Sequence, residues 1–263
     1  MADPFYKSHW KSIGEGRMKA YKSGFEWSEQ AARLYAPAQI GPGQVVADFG
    51  CGPGRIAAEF AQQVGPTGHV HALDINDEFL AATAENARQG GVADRVTTYL
   101  SEGVTLPLEG ATLDRITARN TLMYVDDPVA TLREFHRVLR PGGLAHAVDG
   151  DWLMMVVEPV DGAAWQRFAK AAGHACRSAD MGRKLFAAFR DAGFGDIAVE
   201  VIAHPDTNGR LMSMIRNMGE YARLSGTLPE AEIAAVETTA QEALEEGRYL
   251  AVSPQFVVTG RKV

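Results

Sequence analysis

The sequence has few cysteines and no long apolar segment. Its 263 residues include two cysteines, Cys51 and Cys176, and no uninterrupted run of about 18 apolar residues, the length that spans a bilayer. Neither a disulfide framework nor a membrane-spanning helix is therefore expected, and both cysteines are interpreted as free thiols in a reducing compartment. The polar N-terminal segment also lacks the apolar core of a signal peptide. Together these features predict a soluble, cytoplasmic protein.

The sequence also has fewer basic than acidic residues. Lysine and arginine number 26 against 33 aspartates and glutamates, which gives a formal net charge of -7. Because nucleic-acid binding usually requires clustered Lys and Arg residues, no nucleic-acid partner is expected. No membrane partner is expected either. The chain also lacks internal repeats and low-complexity tracts. Its 46% hydrophobic and 22% charged residues are ordinary for one large globular domain or two small ones.

The most informative segment is a glycine-rich turn after an apolar run. Residues 45–54 read Val-Val-Ala-Asp-Phe-Gly-Cys-Gly-Pro-Gly, with glycine at positions 50, 52 and 54. Alternating glycines let a ligand lie against the main chain where a helix begins. Asp74 ends a second strand-like run at about the distance at which doubly wound folds place an acid for ribose hydroxyls. This spacing indicates a nucleotide-type cofactor.

The region from residue 44 to about 150 alternates β-rich runs with amphipathic stretches, the pattern of βαβ units and a parallel sheet. The predicted strands are 44–49, 69–74, 96–100, 113–118 and 143–149, and the predicted helices between them are 55–64, 78–89 and 128–139. After residue 150 the pattern predicts helices at 160–178 and 181–192, a strand at 196–203, two helices across 208–246 and a closing strand at 249–261.

Two regions lie outside this alternation. Residues 5–39 are rich in aromatic side chains and suggest two helices that cap the domain; they contain Phe5, Tyr6, Trp10, Tyr21, Phe25, Trp27 and Tyr35. The helical stretches 160–178 and 208–246 are longer than a link between neighbouring strands requires. We therefore expect them to form a lid over one edge of the sheet.

Five motifs occur in order along the chain: Asp48–Gly54, Leu73-Asp74, Ser101–Leu108, Asp114–Asn120 and Arg133–Gly143. In this order they resemble the motifs of the class I S-adenosylmethionine-dependent methyltransferases, strongly over residues 40–150 and more loosely to the C-terminus. Glu102 stands where that family usually has Asp. Among the subgroups, the chain is most similar to the ubiquinone and menaquinone biosynthesis C-methyltransferases and to natural-product methyltransferases.

The glycine spacing separates this resemblance from the dehydrogenases. The turn reads Gly-x-Gly-x-Gly, and Arg55 occupies the position at which the dinucleotide fingerprint has its third glycine. A nicotinamide dehydrogenase is therefore a distant alternative. After the fourth predicted strand the chain reads Asn120-Thr121-Leu122-Met123, and neither Asn-Pro-Pro-Tyr nor Asp-Pro-Pro-Tyr is present. This disfavours the enzymes that methylate amino groups of nucleic acids.

The resemblance implies S-adenosylmethionine as cofactor and suggests a role for each motif residue. The amides around Gly50, Gly52 and Gly54 would meet the carboxylate of the methionine tail, and Asp48 its ammonium group. Asp74 would accept hydrogen bonds from the ribose hydroxyls. The remaining residues serve the other parts of the cofactor: Ile75 with Val104 would sandwich adenine, Glu102 with Gly103 would meet its edge, and Arg119 would lie beside the sulfonium, mainly through its backbone carbonyl. Asp48 and Asp74 have alternative interpretations as capping residues, and Glu102 as a solvated one.

Candidate general bases must come from the strand ends, the cap or the lid. Asp149 and Asp151 leave the carboxyl end of the fifth predicted strand, where open α/β sheets bind ligands, and an Asx-stabilised turn is the alternative interpretation of both. His174 lies on the first lid helix and is alternatively a surface or packing histidine. No metal site is predicted.

The sequence therefore predicts an α/β protein with a Rossmann-like, doubly wound, mostly parallel seven-stranded sheet. Residues 1–40 would form the helical cap, and residues 41–263 the methyltransferase domain with its lid insertions. The predicted function is methyl transfer to a small-molecule acceptor, a metabolite or natural-product intermediate, by a monomer or homodimer. Two alternatives stay open: a protein or peptide methyltransferase, and a non-catalytic protein that binds S-adenosylmethionine.

Overall fold

The computed structural model describes residues 5–11 and 27–263, with Tyr6 and Lys7 described by their backbone only. The strands are β1 Val45–Phe49, β2 His69–Asp74, β3 Val96–Leu100, β4 Leu113–Arg119, β5 Leu139–Gly150, β6 Val156–Glu158, β7 Gly195–Ile202, β8 Pro205–Asp206, β9 Leu250–Val252 and β10 Gln255–Arg261. The described helices are α1 Phe5–Lys11, α2 Glu29–Tyr35, α3 Arg55–Val64, α4 Asp77–Gln89, α5 Pro128–Val138, α6 Gly162–Ala172, α7 Met181–Asp191, α8 Met212–Ser225 and α9 Glu230–Glu245. The predicted cap residues Tyr21 and Phe25 lie outside the described residues.

Seven strands form one mostly parallel sheet in the order β3-β2-β1-β4-β5-β10-β7. β1 pairs in parallel with β2 on one side and with β4 on the other, so the chain order reverses at β1. Apolar residues run through β1 and β4 because a central parallel strand is covered by helices on both faces. The predicted Rossmann-like α/β fold is confirmed.

Alternate residues of the sheet face two different cores. Val46 and Val70 pack with Phe60 of α3 and Leu80 of α4. Ala47 on the other face belongs to a larger core that α5 and α7 share with α6, α8 and α9. The helices that the sequence analysis interprets as a lid are therefore continuous with the main core.

β10 runs antiparallel between β5 and β7. Its first residue, Gln255, is in register with Gly150, the last residue of β5. A second, three-stranded sheet in the order β6-β9-β8 was not predicted, because strands of two or three residues carry no readable alternation. Among the described residues, none of the helices combines the length and the hydropathy that crossing a membrane requires.

The end of α2 and the segment that follows it are fixed to the sheet by polar contacts. The ring Nε2 of His146, fully buried on β5, lies 2.9 Å from the carbonyl oxygen of Leu34. Arg115 of β4 donates from Nε to the Ala38 carbonyl at 2.8 Å. Burial lowers the pKa of His146 to about 4, so this histidine is neutral near physiological pH. These contacts bring Tyr35 to the carboxyl-end edge of the parallel strands.

Candidate functional site

A cavity of about 440 Å³ lies at the carboxyl ends of the parallel strands. The residues that follow β1, β2, β3, β4 and β5 line it, together with Trp10 and Lys11 of α1, Met214 of α8 and Gln255 of β10. The cavity spans the point between β1 and β4 at which the strand order reverses. Open α/β sheets bind their ligands at such a switch point.

The glycine turn brings bare main chain to this cavity. Gly50, Gly52 and Gly54 have φ angles of +74°, +54° and +74°, a region that disfavours side chains. A Cβ on Gly50 would lie 2.3 Å from Oγ1 of Thr121, so the turn and the residues after β4 are in close contact. Gly50 and Gly52 line the cavity, as predicted for ligand contact.

Gly54 has a different place from the one predicted for it. It is not among the lining residues, and a Cβ there would lie 2.3 Å from Oγ1 of Thr83 on α4. It precedes α3 with left-handed backbone geometry. Gly54 therefore allows α3 and α4 to pack closely, and its direct contact with a cofactor stays a prediction.

Asp74 ends β2 at the cavity with both carboxylate oxygens oriented by the backbone. Oδ2 accepts from the Gly52 amide at 2.8 Å and Oδ1 from the Asn76 amide at 3.0 Å. Burial raises the pKa of Asp74 to about 6, and the amide hydrogen bonds partly oppose that rise. Each oxygen keeps a further lone pair, so the carboxylate can accept from two neighbouring hydroxyls.

Asp48 lies in the cavity wall at the end of β1 and is almost fully buried. Thr117 donates from Oγ1 to its Oδ1 at 3.1 Å. Burial raises the pKa of Asp48 to about 7; Thr117 and the nearby Arg119 oppose the rise, while Asp74 adds to it. A cationic group entering the cavity would favour the ionised form of this carboxyl.

The Arg119 guanidinium lies beside Asp48 and within hydrogen-bonding contact of the Tyr35 hydroxyl. Its Nε is buried and has no hydrogen-bond partner among the described residues. The Arg119 carbonyl, which the sequence analysis considers the more important group, accepts from Thr121 Oγ1 at 2.9 Å. The guanidinium is thus the group of Arg119 with an unused donor among the described residues, and the predicted role of its carbonyl stays untested.

The other predicted cofactor residues line the side of the cavity near β2 and β3. Ile75, Glu102, Gly103 and Val104 all belong to its wall. Glu102 is half exposed, and its Oε1 lies 3.3 Å from Nζ of Lys11. The structure thus gives Glu102 an ion pair with α1 in addition to its place at the cavity.

Asp151, predicted as a base, has other partners. Its fully buried carboxylate accepts from the amides of Leu153 and Met154, at 3.1 and 3.2 Å, and forms a two-point ion pair with Arg183 of α7. Asp151 is not among the residues that line the cavity. The carboxylate caps the turn after β5 and fixes α7 to it, and the role of Asp151 as a base stays a prediction.

Asp149 and His174 are also absent from the cavity wall. Asp149 is fully buried beside the Leu122 and Met123 amides, and burial raises the pKa of its carboxyl well above the ordinary value. The exposed His174 stacks on Phe5 of α1, with ring centroids 5.5 Å apart. A base must reach the acceptor, and a buried acid with a raised pKa resists ionisation. The roles of Asp149 and His174 as bases stay predictions.

Several cavity residues were missed in the sequence. Tyr35 was read only as a cap aromatic, and Lys11, Asn120 and Gln255 were assigned no role at the site. Lys11 and Tyr35 come from the helices that precede the sheet, and Gln255 comes from a strand that ends near the C-terminus. No local motif marks them, because long-range packing brings them to the cavity.

Comparison with known proteins agrees with this geometry. Residues 46–143 match the family model described as a methyltransferase domain. The chain is 38% identical over 101 residues to the ubiquinone/menaquinone biosynthesis C-methyltransferase of Enterobacter sp. (strain 638), a match that covers 38% of this chain and 40% of that protein. It is 34% identical over 122 residues to the methyltransferase GfsG of Streptomyces halstedii, covering 46% of this chain and 42% of that one.

A solved structure shows the same fold over the full length. The geranyl diphosphate C-methyltransferase of Streptomyces coelicolor A3(2) aligns with a TM-score of 0.61 at 16% identity, covering 100% of this chain and 99% of that one. The chain spans about half the length of the curated relatives it matches. The resemblance drawn from the ordered motifs is confirmed.

Proposed function

From the premise that this chain belongs to the class I methyltransferases, with its methyltransferase domain at residues 46–143, we propose that it transfers a methyl group from S-adenosylmethionine to a small-molecule acceptor. The observation that carries the proposal is the position of Asp74. Its carboxylate is fixed by the Gly52 and Asn76 amides at the strand-order switch, with acceptor capacity left over for two ribose hydroxyls.

The side of the cavity at β1 and β4 suits the methionine portion of the cofactor. The buried Arg119 Nε lacks a partner among the described residues and offers a donor to a carboxylate, with the Tyr35 hydroxyl beside it. Asp48 offers the opposite charge to an ammonium group. The Gly50 turn, pressed against Thr121, lets that zwitterion approach the main chain.

The side at β2 and β3 suits the adenosine portion. Ile75 and Val104 provide apolar faces for a base, and Glu102 lies at the same side for an exocyclic amine. The cofactor, when bound, supplies an activated methyl group on a sulfonium sulfur and leaves as S-adenosylhomocysteine. The chain's own contribution is then to bind, align and exclude water; alignment alone is worth about 7–11 kcal/mol in well-oriented reactions.

The acceptor is proposed to be a small molecule because the cavity is walled on several sides. Trp10 of α1 and Met214 of α8 line it in addition to the strand ends. Tyr221 of α8 and His9 of α1 are joined at 3.1 Å between Oη and Nε2. The described part of the predicted cap, α1 and α2, and the insertions near 160–178 and 208–246 as a lid would in this way enclose an acceptor. A protein substrate would instead need an open groove.

The test is a transfer assay with radiolabelled S-adenosylmethionine against two acceptor libraries, one of small metabolites and one of unstructured peptides. The proposal predicts label and S-adenosylhomocysteine in the small-molecule library only. Label in the peptide library alone would overturn the acceptor class. Cofactor binding with no turnover in either library would favour a non-catalytic binding protein.

A further inference from the structure

The cavity has a second side, away from the predicted adenosine positions. Asp74 and Ser101–Val104 lie at the ends of β2 and β3, whereas Asn120, Thr121 and residues 123–126 follow β4 on the other side of β1, and Gly150 and Trp152 lie at and after the end of β5. Gln255 joins this second group because β10 is antiparallel to β5, so its first residue lies at the carboxyl end of β5. Under the proposed function, the acceptor occupies this side.

The Gln255 carboxamide lies directly beside Gly150. A Cβ built on Gly150 would come within 3.1 Å of Nε2 of Gln255, so the glycine leaves room for the amide group. Its one hydrogen bond to described residues is a long contact, 3.5 Å from Nε2 to the Pro254 carbonyl. A carboxamide has two N–H donors and two acceptor lone pairs, so most of this capacity is unused. Gln255 is half-buried, as suits a group that meets a ligand.

Asn120 is the other carboxamide residue on the proposed acceptor side of the cavity. A backbone requirement explains why asparagine occupies position 120, but no such requirement explains glutamine at position 255. Asn120 has a φ of +50°, a left-handed conformation that asparagine tolerates better than most residues. Gln255 lies in regular strand geometry, paired with Gly150 and Ile202, where a β-branched or aromatic residue would serve the sheet better. The sheet therefore does not account for glutamine at position 255.

The cavity wall also contains aromatic and apolar side chains. Tyr124, Trp152 and Met214 are among its lining residues, and Trp10 packs edge-to-face on Tyr124 with ring centroids 5.0 Å apart. Aromatic walls of this kind suit a planar ligand. The two cations in the described part of the wall both pair with residues on the proposed cofactor side of the cavity. Lys11 pairs with Glu102, and Arg119 lies with Tyr35 and Asp48.

We propose that Gln255 is a specificity-determining residue for the acceptor, and that its carboxamide hydrogen-bonds a hydroxyl or carbonyl group of a neutral, planar acceptor held between Tyr124, Trp152 and Met214. This proposal rests on the proposed function, because it assigns the second side of the cavity to the acceptor. It adds the class of acceptor and the residue that selects it.

The test is calorimetric binding of two matched probes to the full chain saturated with S-adenosylhomocysteine. 2-Naphthol is the neutral probe and 2-naphthyl phosphate its anionic counterpart on the same ring. The wild-type protein should bind 2-naphthol at least tenfold more tightly than the phosphate. Gln255→Met keeps side-chain volume but removes the amide, and should weaken 2-naphthol binding roughly fivefold, as expected for one neutral hydrogen bond.

Gln89→Met is the matched control, because Gln89 is exposed on α4 and does not line the cavity. It should bind both probes like the wild type. All three proteins should bind S-adenosylhomocysteine equally, and failure of the wild type to bind it would count against the proposed function itself. With S-adenosylhomocysteine bound, three results would each overturn the present proposal alone: tighter binding of the phosphate, equal 2-naphthol binding by Gln255→Met, or no binding of either probe.

Discussion

Asp74 is the residue on which cofactor binding depends most directly. Replacing it with alanine removes the carboxylate expected to receive the ribose hydroxyls, and should weaken binding of S-adenosylhomocysteine by about 1.5–3 kcal/mol, the range for hydrogen bonds to a charged group. Asp77→Ala, an exposed change three residues away, is the control and should leave affinity unchanged. Calorimetry measures both affinities, and thermal melting verifies that each variant folds. If folded Asp74→Ala binds S-adenosylhomocysteine with wild-type affinity, Asp74 does not contribute to cofactor binding.

Asp48 predicts a pH dependence of cofactor binding. The pKa of its carboxyl is raised to about 7 in the protein, while the cofactor ammonium favours the ionised form. Lowering the pH through 7 therefore protonates Asp48 and should weaken binding, by up to about tenfold per pH unit. Asp74, with a pKa of about 6, should add a second step at lower pH.

The measurement is cofactor affinity between about pH 5.5 and 7.5, below the range in which an α-amino group itself titrates, about 7.7–8.0. Asp48→Asn should remove the step near pH 7 and retain the one near pH 6. An affinity that is flat across this range in the wild type, or a profile that Asp48→Asn leaves intact, would contradict the assignment of Asp48 to the ammonium group.

Asp151 should behave as a structural residue. Asp151→Ala removes the ion pair with Arg183 and the acceptor for the Leu153 and Met154 amides, so the free energy of unfolding in urea should fall by about 1–3 kcal/mol. Asp180→Ala, which breaks a more exposed pair with Lys184, should cost less than about 1 kcal/mol. Cofactor affinity should be unchanged in both. An Asp151→Ala protein that is as stable as the wild type would return Asp151 to the list of candidate bases.

At the scale of elements, α1 is held mainly by its contacts with the rest of the fold. A seven-residue helix is unstable alone, and its Phe5 ring packs near His9, His174 and Tyr221. Tyr221→Phe removes the hydroxyl that meets His9 at a cost of about 0.5–1.5 kcal/mol. Hydrogen exchange of residues 5–11, followed by mass spectrometry, should therefore accelerate by up to roughly tenfold.

Tyr249→Phe provides the comparison for that experiment. Tyr249 is a buried tyrosine whose hydroxyl meets Asp206, in the small sheet. Its removal should leave exchange in residues 5–11 at the wild-type rate. Unaltered exchange of these residues in Tyr221→Phe would show that the hydroxyl does not hold α1 in place.

The elements that the sequence predicts well are those with a local signal. β1, β2 and α3 have the predicted bounds to within one residue, because apolar residues recur within each segment and a glycine lies directly next to it. The β5 strand begins at Leu139, four residues earlier than expected. Pro141-Gly142 continues the strand instead of forming a separate turn after the helix. The partners of the candidate bases could not be predicted, because a strand-end position fixes a residue's neighbourhood and not the group that its side chain contacts.

At the scale of the whole molecule, the cavity combines residues that are far apart in sequence. Lys11 meets Glu102, Tyr35 meets Arg119, and Gln255 lies beside Gly150. Each of these pairs depends on long-range packing, and the last one depends on the insertion of β10 between β5 and β7. The cofactor half of the site could be predicted because its residues lie in successive motifs. Gln255 could not be predicted, because the pairing of β10 with β5 brings it to the cavity.

The central claim is that the cavity at the strand-order switch binds S-adenosylmethionine. The most direct test is calorimetric titration of the purified protein with S-adenosylmethionine, S-adenosylhomocysteine and NAD in one buffer. The positions of Asp74, Asp48 and Arg119 predict micromolar binding of the first two ligands and no binding of NAD. Binding of NAD alone, or of none of the three, would contradict the account from the glycine turn onward.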